Sequence, residues 1–436
     1  MARQGQVWRL IRQAIALPWS PIGRHRFWPG LWFHSWPLTF PIAELYRRML
    51  VRRTRLTVVI GSFGKTTTTR AVAAVLGLPV DRVKGWNSRG LLARAILTIR
   101  PGAPLALTEV GVKHKSWMAR YARLLKPDVV AVTSIGTEHY KTLGPIPEIR
   151  SEKAEMVRRL SSAGLAVLNG DDPNVLWMKT QTPARVATFG FGGENDIRAD
   201  DYRSRGLSGG VLVLHAMGQS REIRTRLVGR HMVYCLLAAI GVGLAEGLEL
   251  DCVIRAIESV SPTPHRLQLL QPGTGPGLLI DDYKSVYETV VAALDTLAEL
   301  PARRKVVVLG EVFEPPESEE ETYRALGKRL ARCADCVVLV GSETAYRSLR
   351  NGLDGAGATT LIAHHVRHGD VHEAAALASE GLTPDDTVLI KGLGTQRLER
   401  VGLLLAGHPV VCSRSSCKAP VTFDCAHCPL CCQRGQ

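Results

Sequence analysis

Residues 56–70, LTVVIGSFGKTTTTR, combine the residue types that bind the phosphates of a nucleotide. A β-branched apolar run leads into a glycine turn, and a lysine and a run of threonines follow before a segment that favours a helix. In such a unit the glycines let backbone N–H groups approach an anion, the lysine adds positive charge and a threonine hydroxyl is a ligand for Mg²⁺. A strand, turn and helix without a ligand is the alternative. The predicted nucleotide-binding residues are Gly61, Ser62, Phe63, Gly64, Lys65, Thr66 and Thr67.

Three further polar residues follow predicted strands or begin the next helix. Glu109 closes LALTEV, His139 follows VVAVTSIGTE, and Lys153 lies early in a helical segment. Because the carboxyl ends of parallel strands meet at one edge of a sheet, we expect these side chains to approach the phosphates. A carboxylate and a neutral imidazole beside Thr66 are suited to hold Mg²⁺ on ATP. Taken singly, such a glutamate is usually solvated and such a histidine usually structural.

The composition is that of an ordinary globular protein. The 436 residues are 45% hydrophobic and 22% charged, which fits two or three domains with their own cores. No apolar run approaches the roughly 20 residues that span a bilayer, and the basic start lacks the features of a secretory signal. We therefore expect a cytoplasmic protein.

The order of apolar runs predicts an α/β fold with two α/β domains. Strands and helices alternate from residue 56, which indicates a parallel sheet. A β-rich excursion over 190–228 and a helix over 229–248 follow, and Ser261–Pro264 is a plausible hinge before a second, Rossmann-like α/β domain. The predicted strands of the first domain are 56–60, 105–110, 129–135 and 165–170. The predicted segments are an arm at 1–55, a central domain at 56–262, a C-terminal domain at 263–411 and a tail at 412–436.

The N-terminal arm is basic and aromatic. It holds ten arginines, one acidic residue (Glu44) and five of the eight tryptophans, namely Trp8, Trp19, Trp28, Trp32 and Trp36. This composition is typical of a segment at a membrane surface, where rings lie at the headgroups and arginine meets anionic lipid. The alternative is a wrap of short helices packed on the first domain. The net charge of +15 would suit nucleic acid, but no nucleic-acid-binding motif is present, so we do not expect that partner.

The C-terminal tail is rich in cysteine. Six of the ten cysteines lie in the last 25 residues, in the pattern C-x4-C-x7-C-x2-C-x2-C-C. In a reducing compartment such a cluster more often binds metal than forms disulfides. The pattern predicts a structural Zn²⁺ held by Cys412, Cys417, Cys425 and Cys428. An iron–sulfur cluster and an unliganded tail are the alternatives.

Nine segments occur in the order found in the Mur ligases, and together they make the chain resemble that family over residues 56–405. They are GSFGKTTTT, TEVG, TSIGTEHYKTLG, SEKAEM, AVLNGDD, GRHMVY, PHRLQ, IDDY and LIKGLG. Mur ligases are ATP-dependent amide-forming enzymes of peptidoglycan precursor synthesis, related to folylpolyglutamate and poly-γ-glutamate synthetases. The segments LGEVFE and GLGTQRLERV are most similar to the branch that adds D-alanyl-D-alanine.

The resemblance implies a ligase that joins a precursor carboxylate to an amino acid or dipeptide amine through an acyl phosphate. It implies that Lys65, His139 and Lys153 are catalytic and that Thr66, Glu109, His139 and a carbamylated Lys153 bind Mg²⁺. It also implies that Arg266 and Asp282 reach the nucleotide when the domains close. An unmodified surface lysine is the alternative for Lys153. The rival function is a P-loop NTPase switch or a nucleotide-binding protein without ligase activity.

The sequence departs from the family pattern in two places. Met232 and Cys235 stand where the family has asparagines that help to seat the nucleotide, so altered nucleotide selectivity is expected. The 55 residues before the P-loop strand are too few for the family's N-terminal domain, which binds a UDP-sugar. We therefore expect either that the arm supplies a membrane or lipid-linked contact instead, or that the acceptor is not a UDP-sugar.

Overall fold

The computed structural model describes residues 31, 34–79, 85–86, 89–270, 275–315, 317–417, 424–428 and 431. Trp8, Trp19, Trp28 and Trp32 of the arm and Cys432 of the tail lie outside these residues. The described residues form two β-sheets flanked by helices, which confirms the predicted α/β class.

Within the described residues, the first sheet has nine strands, and the P-loop strand is the third from one edge. Its strands are β1 Arg55–Ile60, β2 Gly85–Trp86, β3 Leu105–Val110, β4 Val129–Val132, β5 Leu165–Asn169, β6 Arg185–Gly190, β7 Ile197–Ser204, β8 Gly210–Ala216 and β9 Gln219–Thr225. They are arranged in the order β2-β3-β1-β4-β5-β6-β7-β8-β9. Pairing is parallel from β2 to β7, and β8 and β9 extend the sheet as antiparallel strands. The loops after β1, β3, β4 and β5 therefore open at the same edge.

Helices cover both faces of this sheet. They are α1 Trp36–Met49, α2 Lys65–Val75, α3 Arg89–Leu97, α4 Trp117–Leu125, α5 Tyr140–Leu143, α6 Ile146–Arg158, α7 Pro173–Leu176, α8 Val233–Ala245 and α9 Leu250–Glu258. Because side chains alternate along a strand, Val58 and Ile60 pack into one core cluster while Val59 packs into another on the opposite face. Burial on both faces explains why the central strands read as continuous apolar runs in the sequence.

The second sheet has six strands in the order β10-β11-β15-β12-β13-β14. The strands are β10 Gln268–Leu270, β11 Gly277–Asp281, β12 Lys305–Leu309, β13 Cys336–Val340, β14 Ile362–Val366 and β15 Thr387–Lys391, and the helices are α10 Tyr287–Glu299, α11 Glu319–Leu330, α12 Glu343–Gly355, α13 Val371–Ser379 and α14 Glu399–Leu405. The β10–β11 pair is antiparallel and the others are parallel. None of the described helices combines the length and apolar character needed to cross a membrane.

The predicted elements and the observed ones differ in a few places. The strand predicted over 129–135 ends at Val132, because the Thr133 hydroxyl lies within hydrogen-bonding distance of the Ile60 carbonyl at the start of the P-loop. The helix predicted over 229–248 begins as a 3₁₀ turn, Arg230–Met232, before α8. The β-rich excursion is confirmed and contains β7 and β9 beside the predicted run in β8. Domain boundaries and the hinge remain predictions.

Helix α1 packs against the first domain, as the packed-arm interpretation predicts for this part of the arm. The Trp36 ring meets the Trp117 ring edge-on with centroids 5.5 Å apart, and the Tyr46 hydroxyl donates to the Ile99 carbonyl. Arg47 is buried, and its guanidinium donates to the carbonyls of Leu125, Val51 and Lys126. Burial lowers the pKa of Arg47, and Asp128 opposes that effect. One face of α1 is therefore fixed by buried hydrogen bonds.

The tail is attached to the C-terminal domain by protein contacts. Arg400 is fully buried and donates to the carbonyls of Cys412 and Arg414, while the Cys417 N–H donates to the Thr395 carbonyl. The prediction that Cys412, Cys417, Cys425 and Cys428 share one Zn²⁺ finds no support in the arrangement of the described residues and remains a prediction. Among the described residues, the group whose ligand atoms lie within 4.8 Å of one another is His265, Asp282 and Glu399, and no three tail cysteines meet that condition. The hydrogen bonds from Arg400 and to Thr395 fix the backbone of Cys412 and Cys417 on the domain.

The contacts of Arg47 predict its contribution to the attachment of α1. Arg47→Met leaves two buried carbonyls without a donor, so we expect amide exchange in α1 to become roughly thirty-fold faster, equivalent to about 2 kcal/mol. Hydrogen-exchange mass spectrometry measures this change. The matched control is Arg48→Met, because Arg48 is exposed and its ion pair with Glu44 is worth only about 0–1 kcal/mol. Equal exchange rates in the two variants would show that Arg47 does not fix the helix.

Candidate active site

The loop between β1 and α2 has the backbone geometry of a phosphate-binding loop. Gly61 has a φ of +144° and Gly64 has a φ of +78°, conformations that favour glycine. A Cβ atom at Gly61 would lie 2.0 Å from the Thr133 hydroxyl oxygen, so a side chain there would displace the neighbouring loop. Helix α2 begins at Lys65, directly after the loop, so its free N–H groups and the positive end of its dipole lie at the loop.

Ser62 accepts hydrogen bonds from three lysines and is itself fully buried. Its carbonyl accepts from Lys65 and from Lys284, each at 2.9 Å. Its hydroxyl oxygen accepts from Lys153 at 2.8 Å and from the Gly136 N–H at 2.9 Å. Three ammonium groups are therefore confined around one residue of the loop, which makes this region strongly attractive to an anion.

Glu138 is the carboxylate that faces these lysines. Its oxygens lie 2.5 Å from the Lys284 ammonium and 3.7 Å from that of Lys65. Burial raises the pKa of Glu138, but the nearby lysines outweigh burial and hold this pKa well below its ordinary value. Glu138 is therefore ionised and neutralises part of the positive charge.

The lysines themselves are shifted toward their neutral forms. Burial lowers the pKa of Lys153 well below its ordinary value, and Lys65 lowers it further while Glu138 opposes. Burial likewise lowers the pKa of Lys284 to about 7, again with Lys65 adding to the effect and Glu138 opposing it. Placing like charges together in a buried site destabilises the protonated forms. Both amines are thus easier to deprotonate than a surface lysine.

Thr66 and Glu109 form the oxygen pair that the sequence predicts as a metal site. The Thr66 hydroxyl donates to Glu109 Oε2 at 2.9 Å, across the adjacent β1 and β3 strands. A hydroxyl and a carboxylate at the end of a phosphate-binding loop are hard oxygen donors of the kind that Mg²⁺ prefers. The residues present therefore fit an Mg²⁺ ion bound beside nucleotide phosphates.

His139 lies at the start of α5 with a left-handed backbone conformation, φ +65°. Its Nε2 is 3.4 Å from Glu138 Oε1, and burial lowers the pKa of His139 to about 4 although Glu138 opposes this shift. The imidazole is therefore neutral at physiological pH and retains a lone pair. A non-glycine residue held at positive φ is strained, and such strain is common at functional sites.

Most of these groups line a cavity of about 800 Å³ between the two α/β domains, whereas Gly61 and Lys153 are not among its lining residues. Several predicted site residues line it, namely Ser62, Phe63, Gly64, Lys65, Thr66, Thr67, Glu109, His139 and Arg266. The guanidinium of Arg266 stacks 3.9 Å above the Tyr283 ring. Glu288 of α10 accepts hydrogen bonds from the Thr137 N–H and hydroxyl at 2.8 Å, which joins the C-terminal domain to the loop after β4. The volume lies within the usual range for a small-molecule site.

Asp282 lies apart from the cavity lining. It is buried, its Oδ1 is 2.8 Å from His265 Nδ1, and its Oδ2 accepts from the Glu399 N–H at 2.8 Å. The preceding residue, Asp281, lines the cavity instead and pairs with Lys391 at 2.7 Å. The predicted contact of Asp282 with nucleotide remains a prediction, while its observed partners fix the loop that carries Lys284.

Met232 and Cys235 both line the cavity, on the turn and helix that follow the β-rich excursion. The Cys235 thiol is 3.6 Å from the Gly64 carbonyl, and burial raises the pKa of this thiol to about 11. Where the family pattern has amide side chains, the wall here carries a thioether and a neutral thiol. Altered nucleotide selectivity remains a prediction.

Sequence reasoning missed three residues at this site, Glu138, Lys284 and Glu288. Glu138 directly precedes His139 and Lys284 follows IDDY, so both lie in segments that were singled out for a neighbouring residue. Their contacts with the P-loop region depend on how the two domains meet, which adjacent sequence does not reveal. Glu288 gives no sequence signal beyond its place in the first turn of a helix.

The two α/β domains match two family models in order. Residues 59–243 match the Mur ligase middle domain, and residues 265–394 match the Mur ligase, glutamate ligase domain. The UDP-N-acetylmuramoyl-tripeptide–D-alanyl-D-alanine ligase of Mycobacterium tuberculosis is 29% identical over 352 residues, which cover 76% of this chain and 69% of that relative.

Two solved structures share the fold. MurF from Acinetobacter baumannii has a TM-score of 0.74 at 22% identity, covering 85% of this chain and 80% of that chain. Folylpolyglutamate synthase from Mycobacterium tuberculosis, complexed with ADP and AMPPCP, has a TM-score of 0.63 at 18% identity, covering 85% and 95%. Since the family matches run from within β1 to the loop after β15, the chain belongs to the Mur ligase family, the ATP-dependent ligases that join a carboxylate to an amine.

Proposed function

We propose that this ligase joins the carboxylate of a peptide-bearing precursor to the amine of a dipeptide, with conversion of ATP to ADP and phosphate. The observation that carries the proposal is the confinement of Lys65, Lys153 and Lys284 around Ser62, beside an interdomain cavity that Lys65 and Lys284 line. Such a concentration of positive charge suits a triphosphate and the charge that develops on a transferring phosphoryl group.

The P-loop residues bind and orient ATP in this proposal. Backbone N–H groups of Gly61 to Thr67 and the start of α2 contact the phosphates. In the structure the Lys65 ammonium donates to the Gly61 and Ser62 carbonyls at 2.9 Å, so it exchanges a loop carbonyl for a phosphate oxygen when ATP binds. Arg266, stacked on Tyr283 in the second domain, contacts the nucleotide from the opposite wall. Asp282 contributes indirectly, because its hydrogen bonds fix the loop that carries Lys284.

Thr66 and Glu109 would hold one Mg²⁺, and His139 with Lys153 would hold a second. When bound, these ions neutralise phosphate charge and polarise the oxygens of the reacting groups. The low pKa of His139 leaves its nitrogen available at neutral pH. Lys153 becomes a ligand as a carbamate: its neutral amine adds to CO₂ and releases one proton, and the neighbouring ammonium groups stabilise the anion.

The reaction proceeds in two steps. A substrate carboxylate oxygen attacks the γ-phosphorus, the bond to the β,γ-bridging oxygen breaks, and ADP is formed beside an acyl phosphate. The amine nitrogen then attacks the acyl carbon, inorganic phosphate leaves, and the amine proton passes to solvent. The Glu288–Thr137 and Lys284–Glu138 contacts hold the domains together and exclude water from the hydrolysable acyl phosphate.

The proposed substrates are those in the name of the relative from Mycobacterium tuberculosis, an N-acetylmuramoyl-tripeptide linked to UDP and D-alanyl-D-alanine. The reaction belongs to peptidoglycan precursor synthesis. Whether the precursor must carry UDP is decided by comparing the nucleotide-linked tripeptide with the free tripeptide. Location in the cytoplasm and contact of the N-terminal arm with a membrane are further parts of the proposal.

The first prediction from the proposed function concerns the turnover of ATP. ADP formation requires both the tripeptide precursor and D-alanyl-D-alanine, and Lys65→Ala lowers kcat by about 10²- to 10³-fold because a charge on the transferring phosphoryl group is lost. His139→Ala raises the Mg²⁺ concentration needed for half-maximal rate. Lys141→Ala is the matched control, since Lys141 is exposed on α5 beside the site and is not part of the lining. ATP hydrolysis at the same rate with and without the two substrates would contradict the ligase assignment.

The second prediction from the proposed function concerns the uptake of protons when MgATP binds. With a pKa of about 7, Lys284 is roughly nine-tenths neutral at pH 8. Triphosphate charge favours the protonated amine and raises this pKa, so MgATP binding at pH 8 takes up about one proton. Calorimetric titrations in buffers of different ionisation enthalpy measure the uptake. We expect it to disappear in Lys284→Met and to persist in Lys141→Met, whereas equal uptake in both variants would remove Lys284 from the phosphate site.

The third prediction concerns Lys153. Incubation with ¹³C-bicarbonate produces a carbamate ¹³C resonance in the protein, because burial and the neighbouring Lys65 lower the pKa of the Lys153 amine and so favour the neutral form that reacts with CO₂. The resonance is absent in Lys153→Arg and present in Lys141→Arg. A spectrum that is identical for the two variants would assign Lys153 an unmodified role, such as its bond to Ser62.

A further inference from the structure

Helix α1 has two apolar faces, and the first domain covers one of them. Trp36, Phe40 and Tyr46 pack against the domain, and Arg47 donates three hydrogen bonds to backbone carbonyls, two of them buried. The helix is therefore held in a fixed orientation. The opposite face of α1 therefore points away from the domain.

The outward face is a stripe of large apolar side chains. Leu38 is 74% exposed, Ile42 57%, Leu45 59% and Met49 64%. Their spacing of four, three and four residues places them in one row along a helix. A surface helix normally presents polar residues to solvent, so a continuous exposed apolar row indicates a binding surface. We call these four residues the α1 stripe.

Basic residues lie where the α1 stripe ends. Arg48, Arg52 and Arg53 are exposed in the last turn of the helix and in the segment just after it. The wider sequence continues this pattern, since residues 1–55 hold ten arginines and one acidic residue. An apolar row flanked by arginine is complementary to a surface that carries negatively charged groups on the outside and an apolar layer beneath them.

We propose that the α1 stripe is a docking site for the surface of an anionic lipid bilayer. The four side chains insert into the boundary between headgroups and acyl chains, α1 lies in the plane of the surface, and the arginines pair with lipid phosphates. This inference rests on the membrane contact of the N-terminal arm in the proposed function, and it is independent of the ligase reaction, since none of the stripe residues lines the cavity.

The test is flotation of the full-length protein with vesicles. We expect association with phosphatidylglycerol–phosphatidylcholine vesicles, little with phosphatidylcholine alone, and release at high salt, where charges are screened beyond about 3 Å. The combined variant Leu38→Gln, Ile42→Gln and Leu45→Gln should bind at least roughly ten-fold more weakly, since it removes most of the inserted apolar area. Arg52→Gln with Arg53→Gln should weaken binding and reduce its salt dependence.

A matched control separates the α1 stripe from general hydrophobicity. The combination Leu176→Gln, Met217→Gln and Ile362→Gln alters three exposed apolar residues elsewhere and should bind as the unchanged protein does. Equal binding of the control and the stripe variant would overturn the proposal. Light scattering that shows a dimer lost only in the stripe variant would replace the bilayer by a second copy. A lower thermal midpoint in the stripe variant, with vesicle binding unchanged, would assign the stripe to a partner within the chain, such as residues 1–30.

Discussion

The organisation of this protein depends on the cost of holding three ammonium groups around one buried serine. Lys65, Lys153 and Lys284 come from a P-loop helix, a later helix of the same domain and the second domain, and they converge on Ser62. Glu138 compensates part of the repulsion, and lowered pKa values for Lys153 and Lys284 relieve more of it. Because the repulsion among the lysines is already present before substrate binds, the site is preorganised for polyanions.

The two domains share the task of building that site. One continuous cluster of buried apolar residues includes Val59 of β1 and Leu389 of β15, so the packing runs from one domain into the other. Above this core, polar contacts from the second domain reach the loops of the first, through Lys284 to the P-loop and Glu288 to Thr137. The cavity therefore requires that both domains are folded and in contact. This explains why a ligase of this kind needs a second α/β domain whereas a simple phosphate-binding switch does not.

Local sequence was sufficient for the parts of the structure that local forces determine. The strand, glycine loop and helix around Lys65 follow from an apolar run, two glycines and good helix formers. Glu109 and His139 were predicted as site residues because each lies at or after the end of a predicted strand. The partners of Ser62, the position of Asp282 outside the cavity lining and the backbone contacts of the tail result from tertiary packing, which spacing along the chain does not encode. Cysteine spacing predicted a metal site because it assumed a free loop, whereas Arg400 already holds that segment by its backbone.

The anchored tail has a consequence for the study of the enzyme. Cys417 reaches the wall of the nucleotide cavity because its own backbone N–H is bonded to Thr395 of the C-terminal domain. The protein therefore carries a native sulfhydryl at the wall of the interdomain cavity, at a position that none of the charged groups around Ser62 occupies. A fluorophore or spin label attached there would report on domain opening during turnover, and an electrophile carried by a nucleotide analogue would have a nearby nucleophile with which to form a bond.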